Sequence, residues 1–167
     1  RKAGADAADA VAVRSRARGV SVRLGKVEGT EASESDDVSL RVFVGKRVAS
    51  VSATATSDPR TLAERAVAMA RVSPEDPFQG LADQALLAGE PVDLDLFDAA
   101  EIPTDRLKDD ALAMEEAALA VKGVTNSGGA GASAGLGGLV LATSAGFLGH
   151  YAATRFSRSA SGVAGEG

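Results

Sequence analysis

Residues Gly149 to Gly162 read GHYAATRFSRSASG and set the single histidine of the chain, His150, near Ser157, Ser159 and Ser161. A histidine and a serine can form a hydrolase centre when the imidazole reaches the hydroxyl and an acid orients the imidazole. The phase works against that here. If 149–161 is one unbroken strand, side chains alternate and the three serines fall on the face opposite His150. A zinc centre of the usual kind takes at least three ligands from His, Cys, Asp or Glu, and the sequence has one histidine, no cysteine and no HExxH pair. His150 is expected to pack or hydrogen-bond. No catalytic, cofactor-binding or metal-binding residue is expected in the chain.

The other candidates have plainer readings. Gly129, Gly131 and Ala134 match GxGxxA formally, but a dinucleotide site needs a strand before that turn and a helix after it. Here the order is reversed, so a flexible turn or hairpin loop is expected. The pairs Asp36-Asp37, Asp109-Asp110 and Glu115-Glu116 could supply acid–base chemistry. Neighbours on a helix point about 100° apart, so neither helical pair converges, and a solvated face is expected. Asp93 and Asp95 lack the further oxygens and the glycine of a calcium loop.

The elements that would position these residues can be read from periodicity. From Asp9 to Ser57 apolar residues recur at every second place, as in Val20, Val22 and Leu24 or Val38, Leu40, Val42 and Val44. Such alternation marks antiparallel strands with one buried side. Turns are expected at Gly19 and at Gly45-Lys46, and EGTEASESDD (28–37) reads as a solvated connection or an edge strand. Asp58 and Pro59 open a helix with Leu62, Ala66 and Met69 on one face, stopped by Ser73-Pro74. An irregular connection comes next, with a short helix expected at Leu81–Leu87; its length implies either anchoring by Leu94, Leu96 and Phe97 or a functional role. Thr104 is expected to cap a second helix striped by Leu107, Ala111, Met114, Ala118 and Val121 and closed by Lys122-Gly123. Strand-like sequence resumes, with a turn at Ser144–Gly146. The layout is strands at about 8–57, a helix at about 59–72, a connection at 73–103, a helix at about 104–122 and strands at about 130–163. That is an α+β fold, an antiparallel sheet against two main helices.

The 167 residues suffice for a real core, and a net charge of −5 gives no reason to expect nucleic acid as a partner. No apolar run reaches the roughly 18 residues that span a bilayer, so no membrane partner is expected. The absence of cysteine fits a reducing, cytoplasmic setting. Both ends look cut, without an initiator Met at the start, and residues 1–167 are expected to be the N-terminal part of a longer protein whose C-terminal domain is absent.

Longer stretches carry a resemblance. SPEDPFQGLADQALLA followed by VDLDLFDAAEI resembles the segment joining the first two helices in the PmbA/TldE branch of the TldD/PmbA metalloprotease family. DDALAMEEAALAV leading into VTNSGGAGAS, and then SAGFLGHYAATRFSRSASGVAGEG, is similar to the next stretch in that branch, and the opening hairpins match in the same order. The resemblance implies a bacterial cytoplasmic subunit of a two-component metalloprotease that processes or degrades unfolded peptides. A TldD-like partner would carry zinc in an HExxxH motif, and this portion would be non-catalytic, serving subunit pairing and peptide enclosure. Homo-oligomers are also possible partners on this reading. Nothing here matches the zinc motif, so no catalytic residue is carried over. On the short hydroxyl-rich strand after Gly45, Ser52 and Thr54 are the candidate contacts for a partner or peptide. The alternative is a non-proteolytic regulatory protein of the gyrase-modulator kind. An independent serine hydrolase using His150 ranks behind both.

Overall fold

A computed structural model describes residues 2–89 and 92–165, so Glu90 and Pro91 of the expected connection, with Arg1, Glu166 and Gly167, lie outside the described residues. The elements are β1 (Ala7–Arg23), β2 (Lys26–Val44), β3 (Arg47–Thr54), α1 (Pro59–Val72), a 3-10 turn at Gln84–Leu86, α2 (Thr104–Leu119), β4 (Val124–Thr143) and β5 (Leu148–Ala164). The strands form one sheet in the order β3-β2-β1-β4-β5, an α+β fold as expected.

Several local expectations are corrected. β1 runs straight through Gly19, and the hairpin turns instead at Leu24-Gly25, both with positive φ (50° and 73°). Positive φ at both central residues is the type I′ requirement, which Asn-Gly meets easily and leucine does not. EGTEASESDD is not a connection: it lies within β2, and because β3 pairs only with Asp37–Val44, residues 28–35 have β1 alone beside them and form an edge, one of the two expected readings. Its acids find cross-strand arginines, Arg14 with Asp36 (2.5 Å) and Arg16 with Glu34 (3.2 Å).

The glycine tract is the largest correction. It is part of β4, which starts at Val124 rather than near 130. A Cβ at Gly129, Gly131 or Gly135 would stand 3.4 Å from the carbonyl oxygens of Val22, Val20 and Arg16 respectively. These contacts fall back along β1 as β4 advances, so the two strands are antiparallel, and glycine lets the backbones close up. Gly128 is tighter still: a Cβ there would lie 2.9 Å from the Cβ of Ser161 on β5. Gly128→Val is therefore expected to push the end of β5 away, at a cost of about 1–3 kcal/mol. Hydrogen exchange checks this, with faster exchange confined to residues around Ser161 as the expected result.

The helices also differ in detail. Asp58 caps α1 by accepting from the Thr61 amide (2.8 Å), with Pro59 in the first turn. The face α1 buries is Ala66, Val67 and Ala70, while Met69 remains 41% exposed. On α2, Pro103 holds the cap position, so Thr104 is the first helical residue, and the helix stops at Leu119. The expected helix at Leu81–Leu87 is a single 3-10 turn whose Ala85 amide bonds to the Asp83 carboxylate (3.0 Å).

The chain divides into two compact units, and β1, β2, β4 and β5 each contribute a stretch to both. In the first unit (Arg1–Arg14, Ser35–Leu94, Gly138–Ala152), Val42, Ala49 and Val51 of the sheet meet Ala66, Val67 and Ala70 of α1. β2 and β3 pair antiparallel there, from Val44 with Arg47 out to Asp37 with Thr54. In the second unit (Ser15–Glu34, Asp95–Gly137, Ala153–Gly167), Val20 and Val22 of β1 and Ala130 and Ala132 of β4 meet Leu107 and Ala111 of α2. Small side chains on both partners let helix and sheet approach closely.

Candidate functional site

His150 is exposed on β5, in the first unit, while Ser157, Ser159 and Ser161 belong to the second and are exposed as well. β5 is unbroken from Leu148 to Ala164, so each serine keeps the opposite phase to the imidazole. Asp36 and Asp37 line the same hollow as His150, but β1 and β4 lie between their strands, and Asp36 is engaged by both Nε (2.7 Å) and Nη2 (2.5 Å) of Arg14. The structure does not assemble a nucleophile, base and orienting acid from these residues. Among the described residues no three His, Asp or Glu side chains stand close enough to hold a metal ion. Among the described residues the donor set does not fit the zinc that the resemblance implies.

Ser52 and Thr54 lie on β3, which is an edge of the sheet, and both are exposed. Their hydroxyls are held lightly. Ser52 Oγ donates to Ser39 Oγ (3.2 Å), and Thr54 Oγ1 stands 3.1 Å from Thr56 Oγ1. One backbone edge of β3 is paired to β2, and the other is the free side of the sheet. An edge of this kind, with side chains short enough to let another backbone approach, can accept an added strand.

A second surface was not foreseen. In the second unit a hollow of about 230 Å³ lies over β1, β2, β4 and β5, floored by Gly19, Gly29 and Gly131 and ringed by Ser133, Ser157 and Ser159. Apart from Val20 and Glu31 its lining is all glycine, alanine and serine, the complement of an extended backbone more than of a bulky group. Sequence phase had separated these serines from His150 without showing what they face, because that depends on which strand lies beside β5.

Sequence reasoning also missed Glu115, placed there on a solvated face beside Glu116. It is 3% exposed. Its Oε1 accepts from the Leu24 amide (2.8 Å) and its Oε2 from the Gly25 amide (2.8 Å), and it takes a short hydrogen bond from the Ser127 hydroxyl. The Ser127 hydroxyl, then the Gly25 amide, holds the Glu115 carboxyl below the usual glutamate range, against the opposing effect of burial. The carboxylate thus clamps the strained Leu24-Gly25 turn to α2 and β4. One signal was available: position 115 continues the stripe Leu107, Ala111 at a spacing of four.

The comparisons with known proteins agree in order along the chain. Residues 8–70 match PmbA/TldA metallopeptidase domain 1, and residues 97–167 match the PmbA/TldA metallopeptidase central domain. The chain is 35% identical to a metalloprotease PmbA homolog of Haemophilus influenzae over 98% of its own length and 37% of that protein. It is 37% identical to metalloprotease PmbA of Escherichia coli O157:H7 over 88% of its length and 33% of that protein. The chain thus spans about a third of the length of these curated relatives. Among solved structures, a candidate modulator of DNA gyrase from Bacteroides thetaiotaomicron superposes with a TM-score of 0.87 at 25% identity, covering 99% of this chain and 39% of that one. TldE from Thermococcus kodakarensis shares the fold, with a TM-score of 0.80 at 16% identity over 99% of this chain and 38% of that one.

Proposed function

Because the chain belongs to the PmbA/TldD metallopeptidase family, we propose that it is the N-terminal portion of a PmbA/TldE-type subunit. In this reading it pairs with a TldD-like protease subunit and helps enclose an unfolded peptide in the cytoplasm. Cleavage is then performed by the partner, whose zinc supplies the Lewis acid. This portion contributes surfaces. The observation that carries the reading is that the chain has both an open β3 edge and a glycine-floored, serine-ringed hollow, each suited to extended backbone. No helix among the described residues is long and apolar enough to cross a membrane.

The test is co-purification of the protein with a TldD-like subunit, followed by cleavage of an unstructured peptide with and without chelator. The complex is expected to form and to cleave only without chelator. Ser52→Pro and the double change Ser52→Lys, Thr54→Lys are expected to lower complex yield or peptide capture about tenfold or more, with the chain still folded by circular dichroism. Partner association and cleavage unchanged by both variants would remove β3 from the proposal. Failure of the wild-type pair to associate would overturn the subunit reading itself and favour a regulatory protein that acts without proteolysis.

A further inference from the structure

The second unit holds a larger concavity than the serine-ringed hollow, a groove of about 450 Å³ in which Phe97, Ile102, Leu136 and Phe156 supply the apolar lining. Phe97, Leu136 and Phe156 are 49%, 39% and 41% exposed, so their rings and methyls meet solvent, while Ile102 packs against the core beneath. One wall is fixed in place. The Thr154 amide of β5 donates to the Leu96 carbonyl (2.9 Å), the Asp98 amide donates to Thr154 Oγ1 (3.0 Å), and the Ala100 amide donates to Asp98 Oδ1 (2.8 Å). A groove held this way does not need to order itself when a ligand enters, which lowers the cost of binding.

Its charges are divided. Arg16 and Glu34 satisfy each other (3.2 Å), and Asp98 is engaged by the Ala100 amide. That leaves Arg18 and Glu101, which also line the groove and make no ion pair among the described residues. A cation, Arg18, and an anion, Glu101, neither bonded to another side chain among the described residues, beside an apolar surface complement a molecule with the opposite pair of charges and apolar side chains between them. The volume lies within the range of small-ligand sites. A group that fits both is a short apolar peptide with free amino and carboxylate ends.

We propose that this groove binds apolar di- or tripeptides, with the α-carboxylate on Arg18, the α-ammonium on Glu101 and the side chains against Phe97, Leu136 and Phe156. That the ligand is a peptide rather than another apolar zwitterion rests on the peptide-handling role proposed above. The groove would then hold short products or short substrates, separately from an extended chain.

The test is calorimetric titration of the intact protein with Leu-Phe, N-acetyl-Leu-Phe and Leu-Phe-amide, with free phenylalanine as a further arm. Leu-Phe is expected to bind, and blocking either end to weaken binding at least about tenfold, as expected for loss of a charged contact. Arg18→Ala is expected to abolish the distinction between the acid and the amide while preserving sensitivity to N-acetylation. Glu101→Ala is expected to do the reverse. Both residues are exposed, so the fold should tolerate the changes. Equal binding of blocked and free peptides overturns the proposal, as does undiminished end-selectivity in both variants, no detectable binding at about 1 mM, or phenylalanine binding as tightly as the dipeptide. These outcomes are separate from partner association. A protein that pairs and supports cleavage but ignores Leu-Phe loses the groove proposal alone, and one that binds Leu-Phe with both selectivities but has no partner loses the subunit reading alone.

Discussion

Val22→Asp is expected to unfold the second unit at neutral pH. Val22 is 1% exposed and packs among Val20, Leu107, Ala111, Ala130 and Ala132, none of which offers a polar partner to a carboxylate. An unpaired charge in such a place costs about 3–5 kcal/mol. Marginally stable domains hold about 5–15 kcal/mol in all, so most of the available stability is at stake. Val22→Ala removes two methyl groups without adding charge and is expected to cost about 2 kcal/mol. Urea unfolding should order the midpoints as wild type, Val22→Ala, Val22→Asp. Amide protection in α2 should disappear in the aspartate variant. Midpoints that coincide would mean that Val22 is not central to this core.

Glu115→Gln is expected to produce the second large effect, through hydrogen bonding. The amide oxygen of glutamine can serve one of the two turn amides, but its NH2 group then faces the other donor. Glu115→Ala leaves both amides and the Ser127 hydroxyl without their acceptor and should fall further. Leu24→Gly relieves the positive φ at that residue and should recover part of the loss, since glycine adopts the conformation without steric cost.

The same carboxylate predicts a pH dependence. Its folded pKa lies below the unfolded value, chiefly through the Ser127 hydroxyl and then the Gly25 amide. The stabilisation is therefore complete above the unfolded pKa and is lost as pH falls through the folded one. Wild type should lose this increment between mildly and strongly acidic pH. Glu115→Gln should lack it, so the two midpoint curves should converge as the solution is acidified. Parallel curves would assign the acid sensitivity elsewhere.

These two residues show where the sequence was legible and where it was not. Alternation placed Val20, Val22 and Val42 inside correctly, and Asp58-Pro59 fixed the start of α1, because both signals are local. The turn at Leu24-Gly25 was invisible for the opposite reason. Its strain is offset by hydrogen bonds to a carboxylate 91 residues away, and no window around Gly25 contains that information. The glycine tract misled similarly. Glycine-rich sequence signals a loop until a neighbouring backbone is known to stand 3.4 Å from the missing Cβ of Gly129, Gly131 and Gly135. Ser52 and Thr54 could be placed on a short, hydroxyl-rich strand, and the sheet order then makes that strand an edge. The serine-ringed hollow could not, since β5 joins it from the far end of the chain.

The position of β1 also bears on how the molecule is made. It lies between β2 and β4, and β4 begins more than a hundred positions after β1 does. During synthesis the first hairpin must wait, one flank unsatisfied, until the ribosome has delivered β4. Loop closure over such a span is slow, and an open flank invites association with other nascent chains. Refolding from denaturant should accordingly lag far behind a helical protein of this size, and a chaperone that shields the waiting hairpin should raise the yield.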